Sequence, residues 1–168
     1  TAQLLSRDMA TMEQVIFHCA ELHLNHIRSG DPFELGTSRP LDFGHWSAHK
    51  LEQLTLYSIR HGEAVALGIA LDSTYSYLSG MLSENELEKI LRLFETLKFD
   101  LYIPEMSFHL EDEQHPLNML NGLNEFREHL GGALTIMLLE QIGKGVEVHE
   151  MELSRIREAV RFLQERTK

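Results

Sequence analysis

One segment restricts the fold more than any other: from His61 to Leu78 the chain is rich in Ala, Leu, Ile and Val and carries few charges. A helix that is apolar on most faces is stable only when other elements surround it, so this segment belongs in the middle of a core. Candidates to surround it are easy to find. Met9, Met12, Val15, Ile16, Cys19 and Leu22 recur at three- and four-residue steps, the period of an amphipathic helix. Leu87, Ile90, Leu91, Phe94 and Leu97 form a second stripe behind a Ser83/Glu86 capping box. Leu153, Ile156, Val160 and Leu163 form a third on a helix expected over about 151–165. A shorter helix is expected over about 44–54, and Pro116 reads as the first turn of a further one.

The remaining segments read as connections. The first helix should end near Gly30-Asp31-Pro32, and 33–41 reads as a loop. Pro104 interrupts helical patterning, and Glu111-Asp112-Glu113 reads as a solvated loop or helix start. The apolar run Ala133 to Leu139, then Gly143-Lys144-Gly145 and Val146-Glu147-Val148, reads as a small hairpin. The expected fold is mainly α, a helical bundle with one short β-hairpin near the C-terminus, in a single domain over 1–168.

Composition excludes several roles. A net charge of −11 argues against nonspecific nucleic-acid binding, which needs basic patches against phosphates. No apolar run reaches membrane-spanning length, and no signal-peptide pattern is present. A single cysteine, Cys19, cannot form an internal disulfide, which suits the cytoplasm, and its place on an apolar stripe reads as core. The start at Thr1 rather than Met reads as a segment of something longer.

The chemistry concentrates in two phrases. Phe43-Gly44-His45-Trp46-Ser47-Ala48-His49-Lys50-Leu51-Glu52 is followed by Arg60-His61-Gly62-Glu63-Ala64-Val65-Ala66, with His61 sixteen residues after His45. His45 and His49, at i and i+4, share a helix face, and neutral imidazole is the commonest side-chain ligand of divalent metal. A zinc-protease HExxH is not present, because Trp46 stands where the general-base Glu would be. Seven further histidines (18, 23, 26, 109, 115, 129 and 149) are scattered and read as solvated or supporting groups.

These phrases resemble the C-terminal domain of dehydroquinate synthase and related sugar phosphate cyclases. That family carries L-N-F-G-H-T-x-G-H-A-x-E, then H-G-E-A-V-A-x-G at the same spacing. The late segment Leu134 to Val148 also resembles the family's hairpin. The resemblance implies that His45 and His61 are metal ligands, with zinc or cobalt the expected ion, and that His49 acts at substrate and phosphate. It further implies a third ligand, a Glu, and an NAD-binding domain, both upstream of this chain. No Gly-rich strand-to-helix signature for a dinucleotide occurs within the chain itself. The implied reaction starts with oxidation of a ring hydroxyl by NAD. Phosphate is then eliminated, the ketone is reduced again, and an aldol step closes a carbocycle.

Departures from the family pattern fall at Asp42 (Asn in the family), Trp46 (Thr) and Lys50 (a small residue). They favour a cyclase with a different sugar phosphate substrate. Lys50, Arg60 and Arg127 are the candidate phosphate cations, and Asp42 borders the same region. On this reading the chain alone is inactive, its partners are a sugar phosphate and the upstream domain, and a homodimer is possible for the whole enzyme. Two rivals are the helical half of a metal-dependent alcohol dehydrogenase and a non-catalytic helical interaction module.

Overall fold

The computed structural model describes residues 1–28, 40–129 and 131–168, which fall into two compact units, 1–39 and 40–168. The expected end of the first helix at residues 30–32 and most of the loop at 33–41 lie outside the described residues.

The first unit contains α1 (Ala2–Leu5) and α2 (Met9–Arg28). Sequence periodicity does not anticipate α1, which is barely one turn long. Asp8 opens α2: its carboxylate accepts hydrogen bonds from the backbone N–H of Thr11 (2.8 Å) and from the Thr11 hydroxyl (2.6 Å). These bonds hold the Asp8 carboxyl below its usual range. The stripe on α2 is helical as expected, but Cys19 is exposed rather than core. Among the described residues of this unit only α1 stands beside α2, which is too little to cover a 20-residue stripe.

The second unit is built around α4 (His61–Leu78). From Ala64 to Ser76 only Val65 and Ile69 escape full burial. Around α4 stand α3 (His45–Leu54), α5 (Glu84–Thr96), α7 (Leu153–Arg166) and the first strand of a hairpin, each in contact with it. The hairpin pairs β1 (Ile136–Gln141) with β2 (Lys144–Val148) antiparallel, with Ile136 opposite Val148 and Leu138 opposite Val146. The arrangement is mostly helical with one C-terminal hairpin, as the sequence pattern predicts. Among the described residues no helix is long and apolar enough to cross a membrane.

Buried polar groups on α4 join its neighbours to it. The Ser76 hydroxyl donates to Asp72 O (2.7 Å) and accepts the Leu139 N–H of β1 (3.3 Å). The Tyr75 hydroxyl accepts the N–H of Glu152, the residue that caps α7 (2.9 Å). Arg155 then donates to Leu78 O at the far end of α4 (2.9 Å). Apolar burial supplies most of the driving force: Leu87 and Leu91 of α5 and Ile156, Val160 and Leu163 of α7 are almost fully enclosed. Each such side chain contributes about 1.5–3 kcal/mol relative to exposure.

One sequence expectation fails here. Pro116 does not start a helix; the chain runs through successive turns, and α6 begins only at Asn121 (Asn121–His129). Asn118 explains this. Its buried side chain donates to the carbonyls of His109 and Asp112 (2.9 Å each) and accepts the Leu120 N–H (2.9 Å), satisfying backbone groups that a helix would otherwise use. The Glu111–Glu113 loop is tied to α7 by ion pairs from Arg157 and Arg161.

The start of α3 and the middle of α4 approach one another very closely. A Cβ on Gly68 would lie 1.9 Å from the carbonyl oxygen of Gly44, and a Cβ on Gly44 would lie 2.6 Å from Ile69 N. Both clashes are with backbone, so neither can be relieved by a rotamer change. Gly68→Ala should therefore lower stability by at least the roughly 1–3 kcal/mol typical of overpacking, read as a fall in the urea midpoint. Gly62→Ala, with nothing within 4 Å of its Cβ, should leave the midpoint unchanged or raise it.

Candidate metal centre

Gly44 takes a left-handed conformation (φ 80°) and caps α3, so His45 is that helix's first residue. Two donated hydrogen bonds fix this start. The Gly44 N–H reaches Asp72 Oδ2 (3.1 Å), and the Trp46 indole N–H reaches Asp72 Oδ1 (2.8 Å). Asp72 is fully buried on α4, and Trp46 is 1% exposed. The third histidine arrives by a reversal after α3. The backbone passes through two consecutive left-handed residues, Leu56 and Tyr57 (φ 52° and 59°), before Arg60 caps α4. Glu63 secures that cap by accepting the Arg60 backbone N–H (2.8 Å).

The outcome is a triangle of imidazoles. Ring centres are 5.4 Å apart for His45 and His61, 5.6 Å for His45 and His49, and 5.7 Å for His49 and His61. Two imidazoles on one tetrahedral zinc at about 2.0 Å hold their centres roughly 5 Å apart. All three spacings are near that value, that of His45 and His61 included.

Each ring has its Nδ1 engaged by an oxygen. His45 Nδ1 meets Phe43 O (3.2 Å), His49 Nδ1 meets Glu52 Oε2 (3.2 Å), and His61 Nδ1 meets Glu52 Oε1 (3.3 Å). Carbonyls and carboxylates only accept, so each contact is a hydrogen bond when Nδ1 carries the proton. Nε2 then keeps its lone pair. Partial burial holds the His45 pKa below the ordinary value, outweighing the Phe43 hydrogen bond that raises it. A neutral ring is the form that binds metal.

A second donor set overlaps the first. Atoms of His49, Glu52 and His61 all lie within 4.8 Å of one another. The short contacts in that set are the Nδ1–carboxylate pairs themselves, so these atoms satisfy each other. Glu52 stands in the first phrase without a role in the sequence reading, although its spacing three residues after His49 puts both on one face.

The other candidates are less concentrated. Lys50 is buried, and its Nζ pairs with Glu125 Oε1 of α6 (2.5 Å) and Gln53 Oε1 (3.3 Å). Its charge is already matched within the protein. With Trp46, His49, Glu52, Tyr57 and Glu125 it lines a cleft of about 300 Å³ next to the triangle. Arg60 and Arg127 are exposed and stand outside that lining, and Asp42 ends a short 3₁₀ turn (Pro40–Asp42) just before Gly44. Glu125 and Asp72 have no local signal linking them to the histidine phrases. Each lies far along the chain from its partner, although a lone Asp in an apolar helix does stand out.

Asp72 gives the site a pH dependence. Burial pushes its carboxyl up from 3.8 to about 7, against the Trp46 and Gly44 hydrogen bonds that favour the charged form. The folded chain therefore keeps a proton that the unfolded chain releases. This group's contribution is complete below pH about 4 and is lost as pH rises through about 7. Between about pH 5 and 7 the wild type should lose up to about 1.4 kcal/mol per pH unit relative to Asp72→Asn. Urea midpoints of both proteins measured across that range check this, and parallel pH profiles would contradict it.

The chain is similar to several known proteins. The family model described as 3-dehydroquinate synthase C-terminal matches residues 1–115. The 3-dehydroquinate synthase of Aeropyrum pernix is 31% identical over 142 residues, covering 84% of this chain and 37% of that protein. That of Coxiella burnetii is 28% identical over 156 residues, covering 90% and 42%. Among solved structures, 2-epi-5-epi-valiolone synthase from Streptomyces hygroscopicus, with NAD+ and Zn2+ bound, matches with a TM-score of 0.78 at 25% identity. That match covers 95% of this chain and 42% of the other. The chain spans about two fifths of the length of these relatives.

Proposed function

Because the chain belongs to the 3-dehydroquinate synthase C-terminal family, we propose that it is the metal- and substrate-binding part of a cytoplasmic sugar phosphate cyclase. The remaining length of its relatives would supply an NAD-binding domain upstream and the third metal ligand. The observation that carries this reading is the convergence of His45 and His61 to 5.4 Å, each with Nδ1 engaged and Nε2 left as a donor.

Two imidazoles and an incoming carboxylate suit zinc or cobalt and leave a position for substrate. A bound divalent ion would polarise an alcohol or carbonyl oxygen of the sugar. His45 and His61 would hold that ion. His49, half-exposed between the triangle and the cleft, holds or accepts a proton at Nε2 where phosphate leaves. The cleft wall of Trp46 and Phe126 restricts water on one side. Arg60 and Arg127, unburied, are the cations available for phosphate. Lys50 can contribute only by exchanging Glu125 for substrate. Lys50 and Asp42, at positions where the family differs, support a substrate other than the dehydroquinate precursor.

The test pairs metal content with turnover in the complete cyclase. His61→Ala should remove the metal and abolish phosphate release. His49→Ala should keep the metal and slow release by roughly 10²–10⁴-fold, the usual scale of general acid–base assistance. Equal loss of metal in both variants would contradict the role given to His49. No phosphate release from any sugar phosphate, with metal and NAD present, would favour a non-catalytic module.

A further inference from the structure

Glu52 places one carboxylate between two histidines with different roles. Oε2 lies 3.2 Å from His49 Nδ1 on the same helix, and Oε1 lies 3.3 Å from His61 Nδ1 at the start of the next. The Glu52 side chain is 16% exposed, whereas both imidazoles are about half exposed. The carboxylate is thus the sheltered member of the trio, and the rings are its more accessible partners. We propose that Glu52 is the positioning residue of the site, fixing the Nδ1–H tautomer of His49 and His61 together and so presenting both Nε2 atoms to metal and substrate.

This rests on the reading above, in which His61 binds metal and His49 acts on substrate. A carboxylate behind a ligating imidazole orients the ring and raises its basicity. Here one carboxylate would do this for the ligand and the acid–base group at once. Both oxygens are used, and each meets one N–H. A neutral Gln cannot reproduce this: its amide oxygen accepts from one ring, while its NH₂ can only donate to the other. His45 provides an internal control, because its Nδ1 partner is the Phe43 carbonyl.

The tautomers can be read directly by long-range ¹H–¹⁵N correlation spectra of the ¹⁵N-labelled chain, without metal, at a pH where the imidazoles are neutral. In the wild type all three histidines should show a protonated Nδ1 and an unprotonated Nε2. Glu52→Ala should shift His49 and His61 to the opposite tautomer and leave His45 unchanged. Glu52→Gln should split the pair, with only one of the two keeping its Nδ1 proton. Glu52→Asp should restore the wild-type pattern at least in part. Backbone amide spectra confirm that each variant is folded.

Zinc added to the complete protein, which would supply the third ligand, gives a second reading, with a roughly 10–100-fold weaker affinity expected for Glu52→Ala. Unchanged His49 and His61 tautomers in folded Glu52→Ala would overturn the proposal. Zinc that leaves the His45 and His61 resonances untouched in the complete wild-type protein would instead count against the metal reading, with the tautomer result still deciding the role of Glu52.

Discussion

The contact on which the site depends is the one between the Asp72 carboxylate and the first turn of α3. Two oxygens of a fully buried acid receive the Gly44 N–H and the Trp46 indole N–H. Burying an acid is costly, and the bonds from the residues on either side of His45 offset only part of that cost, since burial still raises the Asp72 carboxyl pKa to about 7. The acid can receive both bonds only because the backbones at Gly44 and Gly68 lie so close that neither position has room for a Cβ. Donor and acceptor fit one another at a single register of α3 on α4, which places His45 relative to His61 at the head of α4. Trp46, a departure from the family's Thr, is one of the two donors, so at least one unusual residue here acts in packing.

Electrostatics around the cleft follow a similar economy. Glu52 serves His49 and His61, and Glu125 serves Lys50. An acidic chain thus places two carboxylates at the edge of the cleft, each already partnered by a basic or hydrogen-bonding group. Arg60 and Arg127 are exposed and are the cations proposed to meet an incoming anion. Surface ion pairs such as those from Arg166 to Glu88 and Glu95 add little on their own. They join α7 to α5, while burial of Ile156, Val160 and Leu163 carries the energy.

Features with a local cause were legible in the sequence. The apolar run 61–78 announced a central helix because its composition fits no exposed position. The hairpin at 136–148 announced itself through an apolar run and Gly-flanked turn. The histidine triangle was visible because four- and sixteen-residue spacings, with a turn between, bring the rings to one place. Features with a distant cause were not legible. Lys50 looked like a free cation until Glu125, from another helix, proved to be its partner. Pro116 looked like a helix start until the Asn118 side chain took the backbone bonds a helix needs. The Cys19 stripe was read correctly as helical and wrongly as buried, since periodicity names a face without naming what covers it.

The central claim is that one ion sits between the first residues of α3 and α4. Crystals of the complete protein grown with zinc, with diffraction recorded on both sides of the zinc absorption edge, test it most directly. The account predicts a single anomalous peak about 2 Å from the Nε2 atoms of His45 and His61, with Glu52 still bonded to Nδ1 of His61. A peak bound instead by Glu52 and the Nδ1 atoms of His49 and His61, or no peak at the triangle, would contradict it.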